Sequence, residues 1–392
     1  MDAIDVEAIV IGAGPAGSAA AIELARRGPD VLLLDRATFP RDKPCGDLIG
    51  VRAMALARAL GVDEQPLRPY APLRGAFISA DRGSVDLTPA TALGRFAAQR
   101  GDARVVPRTV FDAALVKAAL AAGARVRRVA VREVTDWRNG ARSVRGADAE
   151  EPIELRARCV IVAGGYGCRV AANTAAPVDG AEPARGIAVR GYWSGVDAPP
   201  GRIVFALDRW LLPGYGWVFP LPDGGANVGV GALVGRSAPR EPLRDLYARF
   251  TSDPASPAFP WLRGAYERDR PRSWPLDLGP RRRRLVADGL LVAGEAAALV
   301  GPLTGAGIYF AMASGALAGR TLAAALASGR ADRDALRDYG AIVRRQRAPW
   351  LRAELLAQRW LGDPNRLERV LAATRAMPGA PAIGGWVLLH LG

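Results

Sequence analysis

Val6-Glu7-Ala8-Ile9-Val10-Ile11, then Gly12-Ala13-Gly14-Pro15-Ala16-Gly17, then the alanine-rich stretch Ser18 to Arg27, then Val31-Leu32-Leu33-Leu34-Asp35: this segment decides the fold. The first apolar run, rich in β-branched residues, predicts a strand. The alanines predict a helix, and the second apolar run predicts another strand. A strand, tight turn, helix and strand of this length make a right-handed parallel crossover. The glycines have separate tasks. Gly12 permits the turn, Gly14 lets a pyrophosphate approach the backbone, and Gly17 lets helix and strand pack. The helix N-terminus offers N–H donors to the phosphate, and Asp35 is placed to accept hydrogen bonds from a ribose. A dinucleotide site follows, without a choice between its two common occupants.

Further along, Phe111 to Ala122 has helical spacing and stops at Gly123, and strands are expected at Arg125 to Val134 and Cys159 to Ala163. From Gly186 to Val234 the pattern turns β-rich and aromatic, with turns at Pro199-Pro200-Gly201 and Asp223-Gly224-Gly225. Leu290 to Ala293 then leads through glycines into an apolar helix from about Gly305 to Leu326. The expected fold class is α/β, with a Rossmann-type cofactor domain in three pieces (1–72, 101–175 and 285–328). An antiparallel β-sheet substrate domain is inserted in two pieces (73–100 and 176–284), and a helical region (329–392) closes the chain.

Of the 392 residues half are apolar, enough for a large core. The net charge of +14 is carried almost wholly by arginine, since Lys43 and Lys117 are the only lysines. Such a surface favours anionic partners, yet Arg281 to Arg284 has no interleaved aromatics and no reading motif, which argues against nucleic acid. Cys45, Cys159, Cys168 and the single His390 cannot supply a four-ligand metal site of common spacing, and histidine catalysis is disfavoured. A low, odd cysteine count fits a reducing cytoplasm. Ala8 to Ala25 has neither the basic leader nor the glycine-free core of a signal peptide, and no uninterrupted apolar run reaches about 18 residues. Near the end, Arg344, Arg345, Arg347, Arg352 and Arg359 surround Trp350, Leu351, Leu355, Leu356 and Trp360. Two readings stay open there: a helix resting peripherally on an anionic membrane, or a solvated helix with one face on the body.

Several separated motifs carry a family likeness. Asp35-Arg36 followed by Phe39-Pro40-Arg41-Asp42-Lys43-Pro44-Cys45-Gly46-Asp47, Pro107-Arg108 with Phe111-Asp112-Ala113-Ala114-Leu115, and Gly214-Tyr215-Gly216-Trp217-Val218-Phe219-Pro220 with Asn227-Val228-Gly229-Val230-Gly231 occur in order, as do Gly294-Glu295-Ala296-Ala297 and Pro302-Leu303-Thr304-Gly305-Ala306-Gly307-Ile308. This chain resembles the geranylgeranyl reductase family of flavoproteins, relatives of the para-hydroxybenzoate hydroxylase group, over about residues 5 to 325. The resemblance implies FAD, its ADP half on Gly12, Gly14, Pro15, Ala16, Gly17, Asp35 and Arg36, with Arg108 and the backbone near Ala130 in contact. It places Cys45, Gly46 and Asp47 near the isoalloxazine, and Glu295, Gly305, Gly307 and Ile308 around the second half of the cofactor. Tyr215, Trp217 and Phe219 would line the substrate cavity, with ordinary sheet core as the second reading of these aromatics. Cys45 and Tyr215 are the candidate proton donors, with Trp217 beside them; Cys45 also reads as a small buried apolar residue.

Three departures from the family pattern bear on function. Gly164 stands where relatives carry an aspartate, Glu295 where they carry an aspartate one methylene shorter, and Gly301 at a position often occupied by asparagine. The first bears on reduction by NADPH, the candidate reductant. The expected activity is FAD-dependent hydride transfer to a carbon–carbon double bond of a hydrophobic prenyl or polyketide-like compound. The alternatives are a natural-product monooxygenase of secondary metabolism, or an oxidase or cyclase independent of NADPH. Halogenation is disfavoured, because related halogenases relay halide through a lysine and none lies between Lys43 and Lys117 or after Lys117.

Overall fold

The computed structural model describes residues 5–87, 102–170, 184–198, 201–234, 241–279 and 283–376. His390, the first half of the Arg281 to Arg284 run, Pro199-Pro200 and residues 88–100 of the expected insertion lie outside them.

The strands are β1 (Val6–Ile11), β2 (Val31–Asp35), β3 (Leu48–Ile49), β4 (Gly75–Ala80), β5 (Gly83–Asp86), β6 (Arg104–Val105), β7 (Arg125–Arg128), β8 (Ala130–Val134), β9 (Arg142–Asp148), β10 (Glu151–Val162), β11 (Ala184–Ser194), β12 (Arg202–Ala206), β13 (Tyr215–Pro220), β14 (Gly225–Val234), β15 (Tyr266–Glu267), β16 (Arg272–Leu278), β17 (Val286–Ala287) and β18 (Leu290–Val292). The helices are α1 (Pro15–Ala25), α2 (Val51–Ala59), α3 (Arg108–Ala121), α4 (Leu243–Ser252), α5 (Phe259–Leu262), α6 (Ile308–Ala327), α7 (Arg333–Leu361) and α8 (Pro364–Ala376).

The first sheet has the order β17-β18-β10-β1-β2-β7, parallel from β18 to β7. Its central strands are apolar on both faces, as a sheet covered by helices on each side requires. β10 is longer than the sequence suggests: Glu151–Ala157 pairs antiparallel with β9, and the apolar end enters the parallel sheet. The expected strand from Arg125 to Val134 breaks at Val129, so β7 joins β2 while β8 turns away to β9.

A second sheet runs β15-β11-β14-β13-β12-β4-β5, with β16 also on β11. It is antiparallel except for β4 beside β12, so it is mixed rather than wholly antiparallel. One of its faces packs on α4 and α5 through Phe250, Tyr247 and Leu262. The opposite face carries Trp217 and Phe219 in a separate apolar cluster with Leu73, Leu367 and Leu371.

Helices α1 and α6 cross backbone to backbone. A Cβ at Gly315 would lie 1.9 Å from the Ala16 carbonyl oxygen, and one at Gly319 2.5 Å from that of Ala20. α6 is long and apolar enough to cross a membrane, a length the reading by uninterrupted runs missed because Arg320 interrupts it. In the fold more than half of its apolar window is buried against the body, and Arg320 pairs with Glu23 of α1.

Candidate active site

The loop between β1 and α1 shows why its glycines are glycines. Gly12 has φ +97° and lies against the Ala163 carbonyl, and a Cβ at Gly17 would come 1.7 Å from the Gly12 oxygen. Gly14 differs. It has an ordinary φ of −73°, and a Cβ there would meet only the tip of Arg41, at 3.4 Å. The protein leaves this space open, as a phosphate cradle requires. Asp35 accepts the Ala13 N–H (2.8 Å) on one carboxylate oxygen and the Ala37 N–H (2.9 Å) on the other, which fixes the carboxylate at the end of β2.

A cavity of about 740 Å³ runs from this loop to the second sheet. Its walls include Gly12, Gly14, Pro15, Ala16, Asp35, Arg36, Cys45, Gly46, Arg108, Ala130, Tyr215, Trp217, Phe219, Glu295, Gly305, Gly307 and Ile308. The fold thus brings these sequence-distant candidates to one space. Gly17 does not line it, because it packs on Gly12. Asp47 also departs from expectation: it lines no part of the cavity, and its buried carboxylate accepts from Tyr192 Oη (2.6 Å) and Asn227 Nδ2 (2.8 Å). Asn227 also donates to the Cys45 carbonyl (2.7 Å) and accepts from Trp217 Nε1 (2.9 Å). One amide therefore ties the Cys45 turn to the aromatic wall. Asn227 opens one of the motifs that carry the family likeness and interrupts the apolar run of β14, but neither signal shows which groups it joins.

Burial pushes the Asp47 carboxyl up to about 6, against the lowering effect of the Tyr192 and Asn227 hydrogen bonds. The folded protein thus holds this proton more tightly than the unfolded chain does. Asp47 contributes stability that is fully present below the unfolded value near 4 and lost as pH rises through 6, on the order of 3 kcal/mol. Urea unfolding at pH 4.5 and 7.5 should show this slope in the wild type, flattened in Asp47→Asn.

Burial likewise raises the Cys45 thiol, with Arg108 the main opposing influence. The Asp47 N–H points to Cys45 Sγ (3.4 Å), leaving the S–H to donate elsewhere. Tyr215 is less suited to donation than the sequence suggests, because its O–H is given to the Thr304 carbonyl (2.7 Å).

Each departure from the family pattern has a local partner. A Cβ at Gly164 would lie 2.6 Å from Cys168 Sγ, so the thiol occupies the room an aspartate would need. The longer Glu295 reaches Lys43 Nζ at 2.7 Å, while its other oxygen is buried without a protein donor among the described residues. At Gly301 a Cβ would fall 2.1 Å from Glu354 Oε2. Glu354 belongs to α7 and forms a buried pair with Arg347 (3.2 Å). It also accepts from Thr304 Oγ1 (3.1 Å), while Arg347 Nε donates to the Leu299 carbonyl (3.1 Å) and Gln358 to that of Pro302. Helix α7 therefore braces the 299–305 loop, and Gln358 reaches the cavity. The sequence reading grouped Arg347 with exposed arginines; it is buried, while Arg344, Arg345, Arg352 and Arg359 are exposed. Val343, Arg347, Leu351, Glu354 and Gln358 follow one helical row, the pattern that could have revealed this face.

Comparisons with known proteins agree with this geometry. Residues 5–191 match the family described as FAD binding domain. The menaquinone reductase of Mycobacterium tuberculosis is 34% identical over 337 residues, spanning 82% of this chain and 77% of the relative. The digeranylgeranylglycerophospholipid reductase 2 of Methanopyrus kandleri is 32% identical over 338 residues, spanning 82% and 78%. This chain belongs to the geranylgeranyl reductase family. It is an FAD-dependent oxidoreductase. Among solved structures, a geranylgeranyl bacteriochlorophyll reductase-like protein of Thermoplasma acidophilum shares the fold with a TM-score of 0.81 at 22% identity, over 94% of this chain and 90% of that one. A myxobacterial FAD-dependent halogenase shares it at 0.71 and 24%, over 87% and 79%.

The residues present fit the family's cofactor. Gly14 leaves open the space a phosphate would take, Asp35 is fixed at the end of β2 where it would meet a ribose, and Glu295, one of whose oxygens has no donor among the described residues, lines the cavity wall. The N-terminus of α6, at Gly307 and Ile308, also opens onto the cavity. Its free N–H groups and positive dipole end favour an electron-rich ring system there.

Proposed function

We propose that this protein reduces a carbon–carbon double bond of a hydrophobic, prenylated substrate. The observation that carries the reading is the continuity of the cavity from the phosphate cradle at Gly14 to the aromatic wall of Tyr215, Trp217 and Phe219, with the Cys45-Gly46 turn also on its surface. FAD, once reduced by two electrons from NADPH or another donor, would supply the hydride, and an isolated alkene accepts it only with a proton delivered to the neighbouring carbon. Cys45 keeps its thiol protonated and its S–H uncommitted, so it is the proton source, and Tyr215 holds the Thr304 turn instead. The names of the menaquinone and glycerophospholipid reductase relatives support a prenyl chain as the apolar part. NADPH is the candidate reductant, and the free cysteines support a cytoplasmic setting.

The test is anaerobic incubation of FAD-loaded protein with NADPH, NADH or dithionite, followed by mass analysis of prenyl quinones and prenyl lipids. Saturation of one or more bonds is expected, with Cys45→Ala slower by roughly a hundredfold and Tyr215→Phe nearly unaffected. In a parallel aerobic incubation, unsaturated substrate that gains one oxygen atom per oxygen molecule consumed would instead establish a monooxygenase.

The outer face of α7 supports peripheral contact with an anionic bilayer. Trp350, Leu356 and Trp360 are exposed, and Arg345, Arg352 and Arg359 recur at seven-residue spacing beside them. Sedimentation with phosphatidylglycerol vesicles is expected, and its survival in Leu356→Ser/Trp360→Ser would remove this contact from consideration.

A further inference from the structure

Asp47 is set back from the cavity, yet it belongs to the same short turn as Cys45, which lines it. The turn has two unusual features. Asp47 takes a left-handed backbone, φ +63°, which a non-glycine residue holds only where its surroundings fix it. Its carboxylate is also unevenly served: Oδ2 accepts from both Tyr192 and Asn227, while Oδ1 is buried without a protein donor among the described residues. One oxygen is thus arranged to hold negative charge, and the other is free to carry a proton. The same backbone aims the Asp47 N–H at Cys45 Sγ (3.4 Å), and one amide of Asn227 donates to both the Cys45 carbonyl and Asp47. The charges facing the pair are cationic: Arg108 of α3 acts on both, Arg190 of β11 on Asp47, and Lys43 on Cys45. Tyr70, Tyr192 and Tyr215 face them as phenols that burial keeps neutral.

We propose that Asp47 is the proton reservoir of Cys45, resupplying the sulfur as the thiol gives its proton to the alkene. The inference rests on the reduction reading above and adds the source of its proton. Hydride arrives at one alkene carbon, and the π pair forms a bond to the Cys45 proton at the other. The electron pair left on sulfur takes the proton of Asp47 Oδ1 in the same step. Negative charge therefore finishes on a carboxylate with two donors instead of on a thiolate with one weak N–H. Water restores the Asp47 proton between turnovers. Burial raises both groups, but it leaves the carboxyl at about 6 while the thiol starts from a much higher value, so Asp47 is the acid better matched to neutral pH.

The experiment makes two measurements on FAD-loaded, full-length protein. In the first, without substrate, alkylation of Cys45 by iodoacetamide is followed against pH by peptide mass analysis, which separates it from Cys159 and Cys168. Above pH 6 the Asp47 charge opposes the thiolate, so Asp47→Asn should lower the midpoint by about one unit and speed alkylation at pH 7.5 about tenfold. In the second, dithionite-reduced protein saturates a prenylated naphthoquinone in a single turnover. The wild-type rate should fall as pH rises through about 6. Tyr192→Phe removes one donor from the carboxylate and should move that fall to higher pH, whereas Asp47→Asn should abolish it and lower the rate at pH 6 about tenfold. A merely structural role would lower the rate equally at every pH. An unmoved alkylation midpoint in Asp47→Asn, or one pH dependence shared by all three proteins, overturns the reservoir while leaving Cys45 as donor. A shifted midpoint with no saturated product from the wild type removes the reduction reading and the proton step with it, and leaves only the electrostatic coupling of the two side chains.

Discussion

Gly14→Val should yield a folded protein that no longer retains FAD. Valine adopts the backbone angles of this position without strain, and its Cβ would displace only the flexible end of Arg41. The side chain would stand where the pyrophosphate must approach the N-terminus of α1, so the loss falls on the ligand. A loss of about 3 kcal/mol or more, a hundredfold in affinity, is expected from the flavin content and FAD titration of the purified protein. Gly17→Ala supplies the contrast. Its methyl would sit 1.7 Å from the Gly12 carbonyl, so the β1–α1 turn must open, and about 3 kcal/mol of global stability should go with it. A Gly14 variant that keeps its flavin, or one that unfolds like the Gly17 variant, would contradict the assignment of the cradle.

The second large effect is expected at Glu354. Truncation to alanine leaves Arg347 charged and buried without its partner, and frees Thr304 from the brace on the 299–305 loop. Removal of one member of a buried pair costs about 3–5 kcal/mol. Because that loop precedes α6 on the cavity wall, FAD affinity should fall as well. Gly301→Ala alone should be similarly harmful, since its methyl competes with the Glu354 carboxylate for one volume. In the Glu354→Ala background the same methyl has room. The double variant should therefore be more stable than the sum of the singles implies, by roughly 1–3 kcal/mol in a urea-unfolding cycle. Strict additivity would mean that the two positions do not share space.

The difference between Gly14 and Gly301 also marks how far the sequence could be read. Gly12, Gly14 and Gly17 announce their roles because each lies within a few residues of what it serves, and strand, turn and helix follow from local periodicity. Gly301 and Glu354 are 53 positions apart, and no local pattern shows that a helix side chain fills the place left by a missing one. The same limit applies to Lys43 and Glu295. Asp47 and Tyr215 were legible as neighbours of the site, but not in orientation. A buried carboxylate next to Cys45 looks like a cofactor ligand until Asn227 and Tyr192, from strands far along the chain, both donate to its Oδ2. The second sheet was legible as β-rich, yet the parallel pairing of β4 with β12 depends on residues more than a hundred positions apart.

The contact between α1 and α6 has one more consequence. Ala16 meets Gly315 and Ala20 meets Gly319, so the helices run in the same direction, and α6 begins about two turns ahead of α1 in that register. Each opens onto the cavity at its N-terminus, one beside Gly14 and the other at Gly307. Because main chain touches main chain at this seam, there is no slack by which one end could drift from the other. The seam acts as a ruler: it sets the span between the two helix N-termini, one proposed to hold phosphate and the other to face the ring, and so would measure the length of the molecule that can satisfy both.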